Sequence, residues 1–415
     1  MDRFLALAAL TAAMQTVLVR IVATAVAVWA FALVAVAGAA PSPRATVLGM
    51  VVADGKQTLT RLDAATLAPV GGPTIAILPT VGRGLRSPDR SLLVFAANSA
   101  PSLTFVDVDR MQAAEPITVA KAGTAQLIAW PEQRRLYAYG WGCCPVRTDV
   151  LIIDPVDGKI VARVPLHGTA VSEAASADGV AVLTSPVKGI GPVNLLAVNR
   201  DGTARRAAVV RIRAGSKWRR VNSQPVGTIR QPGFTVEPSG RTGYVIDPSG
   251  LVAEVDLSTL AVSYRTSRTF ARADKQVSGP MRHAHWVGDG RIAVSGTNAK
   301  VTKTRTGWTN TWAPAGLTLI DTRSWGSRLV DAHASWFVPR GDTVLAVSNG
   351  SVTAYDLDGA ARYRVPVAST TAFVEAYGDY AYVWTDKTVT VLDASSGAVI
   401  GTMPKPSLWL VSADS

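Results

Sequence analysis

Eight times along this chain a β-type apolar run ends in an acid or amide that opens a tight turn. The turn residues are Asp63, Asp107, Asp154, Asn199, Asp256, Asp321, Asp356 and Asp393, in contexts such as LTRLDAATL, VLIIDPVDG and VTVLDASSG. Their successive spacings are 44, 47, 45, 57, 65, 35 and 37 residues. A period near 45 built of strands and turns is the signature of a ring in which each repeat is one four-stranded blade. The fold class expected is therefore all-β, a β-propeller of eight blades, with seven as the alternative if one repeat has degenerated.

The ends of the array indicate how the ring closes. TVLGMVVA at 46–53 runs straight into the Asp63 unit with no inner strand before it, and SLWLVSA at 407–413 follows the last unit with no blade to belong to. Together they complete one blade, the C-terminal strand lying innermost, and the exposed edge of an open array disappears. Short polar runs such as SPDRS at 87–91, SADG at 176–179 and YGD at 377–379 fit the connections between first and second strands.

Residues 1–40 belong to targeting rather than to the fold. Arg3 and Arg20 precede IVATAVAVWAFALVAVAGAA at 21–40, an uncharged stretch of 20 residues that is long enough as an apolar helix to span a bilayer. Ala37-Gly38-Ala39 is a small-x-small cleavage site, and residues 41–45 read as a linker to a propeller over 46–415. The arginine placement sends the remainder outward, so the propeller is expected to be extracytoplasmic, either secreted or anchored through residues 21–40.

All the long connections fall on one rim, the one carrying the loops between second and third strands and those between blades. That rim is expected to be the binding face. From Gly202 to Val236 there is no acid, while Arg205, Arg206, Arg211, Arg213, Lys217, Arg219, Arg220 and Arg230 occur. Arg265 to Arg282 continues the bias, and the insertion at 296–316 adds Lys300, Lys303 and Arg305. Trp141, Trp218, Trp308 and Trp312 lie in the same segments. Aromatic faces stack on sugar rings and Arg forks hold carboxylate or phosphate, so an anionic envelope polymer, a glycan or a protein partner suits this face. The competing reading is a set of solvated arginines with tryptophans packing the loop bases. The net charge of +12 favours a polyanion, but no nucleic-acid motif is present and nucleic acid is not an expected partner outside the cell.

Cys143 and Cys144 are the only cysteines and are adjacent. In an oxidising compartment they would pair with each other, giving a rigid knuckle beside Trp141 rather than a long-range staple. His283 and His285 are two apart on an expected inner strand and share a face, with Glu375 at an aligned channel position. A His-His-carboxylate metal site is the sharp reading of this trio, and histidines hydrogen-bonded to neighbouring backbone are the plain one. No metal or other cofactor is expected. There is no G-x-S-x-G elbow, H-E-x-x-H or C-x-x-C-H, which lowers the case for an enzyme without removing it.

The turns DPVDGKIVARV at 154–164 and DASSGAVIGTM at 393–403 resemble the D-x-x-[ST]-G-x-[VI] unit of YVTN-type and quinoprotein-like propeller repeats. The resemblance covers about residues 46–413 and implies fold rather than activity. The chain also resembles quinoprotein alcohol dehydrogenases in blade count and in its adjacent cysteines, which in that family lie against a quinone. It departs from them in lacking a Trp-docking motif in each blade, and no residue here matches their calcium ligands or catalytic aspartate. Three functions follow. The leading one is a binding module using Trp141, Cys143, Cys144, Trp218, Arg219, Arg220, Arg230, Arg282, His283, His285, Trp308, Trp312 and Glu375. The alternatives are a quinoprotein-dehydrogenase-like or lactonase-like enzyme at the channel mouth, which would need a metal or quinone, and a scaffold subunit of a membrane-associated complex.

Overall fold

The computed structural model describes residues 45–53, 56–77, 80–97, 102–119, 124–141, 149–221, 224–267, 279–305, 307–367, 369 and 372–413. The apolar segment 1–40 and the cysteine pair lie outside them. Thr46–Ser415 is one compact unit, and its described residues form eight antiparallel sheets. No described helix is long and apolar enough to cross a membrane.

Seven blades run outward in chain order. Their inner strands are Thr80–Arg86, Thr124–Glu132, Thr169–Ser176, Gly233–Val236, Gly279–Gly288, Trp336–Arg340 and Phe373–Tyr377 for blades 2 to 8. In blade 1 the order is Ile75–Ile77, Lys56–Asp63, Thr46–Ala53 and then Leu408–Ala413, so the innermost strand comes from the far end of the chain. Val47 pairs with Ala413 and Val51 with Leu408.

The middle strands are buried on both faces because sheets stack on either side, and Gly179–Ser185 is buried along its whole length. Eight apolar clusters fill the eight seams. Leu48, Met50, Leu93 and Phe95 join blades 1 and 2, and Leu183, Val193, Phe234 and Val255 join blades 4 and 5. Val47, Leu62, Tyr382 and Trp384 join blade 8 to blade 1.

The Asp turns form because the carboxylate caps backbone donors that the reversing chain would otherwise leave unpaired. Asp63 Oδ1 accepts from the Ala65 and Thr66 amides at 3.0 and 2.8 Å. Asp256 takes the Ser258 and Thr259 amides, both at 2.8 Å. The Ser258 hydroxyl and these amides hold the Asp256 carboxyl down at about 2. In six of the eight turns the residue four places on turns left-handed to rejoin the sheet, this being Leu67, Met111, Gly158, Leu260, Trp325 or Gly397. After Asn199 and Asp356 it is the third residue, Gly202 or Gly359.

Two expected loops are extended hairpins. The outer strand of blade 4 runs over Ala204–Val221, 18 residues, and returns as Gln224–Arg230, with Gly215 opposite Arg230 and Val221 opposite Gln224. The second strand of blade 6, Arg291–Thr304, overshoots its partner and returns as Gly307–Pro314. Alternation explains why these segments are strands. Ile212 and Ala214 are buried while Arg211 and Arg213 face out, so the acid-free stretch has one apolar face to pack.

Candidate functional site

Strand direction places both hairpins on the rim opposite the Asp turns. The returning strand Gln224–Arg230 lies beside the inner strand of blade 6 and beside the returning strand Gly307–Pro314. The approach is close, since a Cβ on Gly279 would sit 3.4 Å from the Ile229 carbonyl oxygen. A backbone bridge continues the contact, with the Gln231 amide donating to the Pro280 carbonyl at 3.0 Å and the Arg282 amide to the Gln231 carbonyl at 2.9 Å. Blades 4 and 6 thus raise one joint platform across blade 5.

Many of the arginines in this region hold the platform together. Arg206 Nη2 donates to the Pro165 carbonyl at 2.8 Å, and Arg213 Nη2 to the Ile190 carbonyl at 2.9 Å. Arg205, by contrast, works on the opposite rim, reaching the Leu257 carbonyl in the Asp256 turn of the next blade at 3.2 Å. Arg211 lies over the Tyr264 ring at 4.9 Å. Arg230 Nη2 grips both oxygens of Asp247 at 2.7 and 2.9 Å. Arg282 is only 2 % exposed and donates to the Met281 and Thr297 carbonyls and to Asn298. Burial pulls the Arg282 guanidinium down to about 10, which keeps it charged at neutral pH. Arg230 and Arg282, both read from sequence as ligand-facing, are therefore engaged within the fold.

Trp312, opposite Ala299 on the blade 6 hairpin, is 52 % exposed. The backbone of Trp218, Arg219 and Arg220 lies on the blade 4 hairpin opposite Gly227, Val226 and Pro225, and that of Trp308 is opposite Lys303. Trp141 ends the strand Arg135–Trp141. The side chains of these five residues fall outside the description.

The channel is lined from the inner strands. His283 packs against Trp336 with ring centroids 6.2 Å apart, and His285 meets Phe337 edge-on at 5.3 Å. Trp336 begins the inner strand of blade 7 and Phe373 that of blade 8, so both stand at the channel mouth on the platform side. They are 39 % and 42 % exposed, Trp336 Nε1 donates to the Val374 carbonyl at 3.2 Å, and Phe373 stacks on Trp384 at 6.0 Å. An aromatic arc thus spans blades 6 to 8. Composition gave no reason to single out Phe373; the signal was its place as the first residue of an inner strand. Glu375 is buried in the same strand. The inner strand of blade 4 brings Glu173, whose Oε2 accepts from Tyr139 Oη at 3.2 Å. Among the described residues no group of three or more His, Cys, Asp or Glu side chains is placed to hold a metal ion.

The channel wall shifts these groups. Both histidines are open to the channel on one side, yet desolvation against its wall, with the Arg282 charge for His283 and the His283 charge for His285, lowers them below their ordinary 6.5. Burial raises Glu173 above its ordinary 4.5, against the Tyr139 hydrogen bond. Groups depressed on folding take up protons more readily when unfolded, so the histidine contribution is complete above about pH 6.5 and is lost as acid titrates the folded rings. Glu173 has the opposite sign, its cost falling in acid as it protonates. We expect the melting temperature to drop between about pH 7 and about pH 5, and His283→Asn with His285→Asn to flatten that drop. Parallel curves for parent and double variant would show that the channel histidines do not set it.

No protein-family model matches the chain, and no curated protein does. Solved structures do. "Dihydro-heme d1 dehydrogenase NirN in complex with DHE" aligns at TM-score 0.57 and 14 % identity over 90 % of this chain and 76 % of its own. AztD from Citrobacter koseri aligns at 0.51 and 15 %, over 88 % and 98 %. BamB from Moraxella catarrhalis aligns at 0.50 and 15 %, over 81 % and 98 %. These are β-propeller proteins. At such identities the likeness is one of fold, and at that level the chain resembles YVTN and quinoprotein-like propellers.

Proposed function

We propose that this is an exported binding propeller whose elaborated rim takes an anionic polymer of the cell envelope. The observation that carries this reading is the joining of two basic, Trp-bearing hairpins into one platform beside an aromatic channel mouth. Structural arginines explain part of the charge excess, and the remainder, with Lys217 facing out, gives a face suited to phosphate or carboxylate groups in series. Trp312 offers a flat surface for a sugar ring. Residues 1–40 supply the export signal; if 21–40 is retained as an anchor, the same face works as a scaffold at the membrane.

The test is binding to heparin, a soluble polyanionic glycan, across a salt series. Arg219→Glu with Arg220→Glu should weaken binding by about tenfold or more at low salt and reduce the salt slope. Affinity that is indifferent to salt sinks the electrostatic reading.

The aromatic arc at His283, Trp336 and Phe373 favours one second reading, an enzyme that seats a planar cofactor at the channel mouth. A protein of similar fold, NirN, is a dihydro-heme d1 dehydrogenase seen in complex with DHE. Visible absorbance of the protein as purified separates the two, since a cofactor-bearing protein carries a band there.

A further inference from the structure

A second concave site lies away from the platform arginines, on the seam between blades 6 and 7. Its volume is about 550 Å³, within the range of roughly 300–1,000 Å³ typical of small-ligand sites. It is built from the end of the outer strand of blade 6, Ser327–Asp331, the connection that follows, and the outer two strands of blade 7, Ser351–Asp356 and Ala361–Pro366.

Its polar groups have fixed directions. Asp331 is held at both oxygens, Oδ1 accepting the His333 amide at 2.8 Å and Oδ2 the Tyr355 hydroxyl at 3.2 Å. Each oxygen keeps a further lone pair. Arg364 is exposed and is steered by its Nε bond to the buried Ser351 hydroxyl at 3.0 Å. It has no ion-pair partner among the described residues. Asn349 lines the opening with an amide that both donates and accepts, and Val330 and Ala361 supply apolar wall.

This set discriminates by chemistry. One unpaired guanidinium suits one carboxylate. A compact dianion would find one permanent charge, with only the His333 imidazole beside it, and would face the Asp331 charge. Hydroxyl groups, by contrast, donate to an oriented carboxylate at little cost. The ligand must therefore carry an acid at one end and hydroxyls at the other. We propose that the pocket binds a uronate, an acidic monosaccharide unit, with its carboxylate on Arg364, vicinal hydroxyls on Asp331 and Asn349, and its C–H face against Ala361. This goes beyond the polyanion reading of the rim and uses none of the platform arginines.

The experiment is calorimetric titration of the full-length protein, in a detergent without sugar groups, with glucuronate, glucose, acetate and inorganic phosphate. Glucuronate should bind, and glucose and acetate should each be at least about tenfold weaker, since each lacks one half of the recognition. Arg364→Gln should reduce glucuronate affinity about tenfold or more with the melting temperature kept, because the side chain is exposed. Asp331→Asn should act likewise; if it fails to fold, Arg364→Gln decides. Glucose binding as well as glucuronate would overturn the proposal, as would phosphate or acetate matching it, or no ligand binding. Charge reversal at Arg219 and Arg220 should leave glucuronate binding intact, so failure of the rim reading and failure of this one are read separately.

Discussion

Removal of residues 407–415 should leave a protein that does not melt cooperatively. The strand Leu408–Ala413 is the inner strand of blade 1 and is hydrogen-bonded to Thr46–Ala53, with a further bond from the Val52 amide to the Ser407 carbonyl at 2.7 Å. Its successive side chains serve different seams. Leu410, 1 % exposed, packs with Tyr382 and Trp384 towards blade 8, and Val411, 3 % exposed, packs with Leu48 and Phe95 towards blade 2. Burying two such side chains contributes about 1.5–3 kcal/mol each. Their loss also uncovers Leu48, Met50 and Leu62, all at 0 % exposure. The sum is comparable with the whole stability of an ordinary domain, roughly 5–15 kcal/mol. Near-ultraviolet circular dichroism and thermal melting check this, and Leu410→Ala provides the graded case, an expected loss of about 2–5 kcal/mol. A truncated chain that melts where the parent does would show that the ring does not depend on its closing strand.

How far the sequence could be read depended on how local each cause is. The Asp turns were legible because the carboxylate and the amides it caps lie within four residues of each other, as at Asp63, Asp256 and Asp393. The blade count was legible for the same reason, since each turn reports one sheet. The hairpin over 204–230 was not recognised as one, although Arg211, Ile212, Arg213 and Ala214 alternate, because a run of arginines hides a period of two in a polar background. The roles of these arginines were beyond sequence reasoning, because Arg205 bonds to a carbonyl 52 residues away and Arg230 to a carboxylate 17 residues away. The seam pocket has the same character: Asp331 and Arg364 come from different blades, and no spacing links them. At the channel, the shared face of His283 and His285 was readable from their two-residue interval. Their aromatic partners Trp336 and Phe337 depend on how blade 7 packs on blade 6.

Gly397→Ala should cost about 3 kcal/mol, several times the cost of the matching change at Gly158. Both glycines occupy the left-handed position four residues after the turn aspartate, at φ 74° and 64°. The conformation alone does not demand glycine, because Leu67, Met111, Leu260 and Trp325 adopt it in the corresponding turns. For an alanine it carries a penalty of about 1–2 kcal/mol, part of which is returned by a stiffer unfolded chain. At Gly158 nothing lies within 4 Å of an added Cβ, so the net cost there should be about 1 kcal/mol or less. At Gly397 the same atom would stand 2.3 Å from Tyr363 Cδ2. That ring belongs to the outer strand of blade 7 and is pinned by its hydroxyl, which donates to the Ala394 carbonyl at 2.8 Å within the blade 8 turn. It cannot withdraw without breaking that bond and disturbing the seam formed by Val365, Val374 and Leu392. The excess cost therefore belongs to one inter-blade contact, and a double-mutant cycle isolates it. In a Tyr363→Ala background the Gly397→Ala penalty should fall to the value measured at Gly158. A penalty that stays at its full size there would place the strain in the turn itself and not in the packing of blade 7 on blade 8.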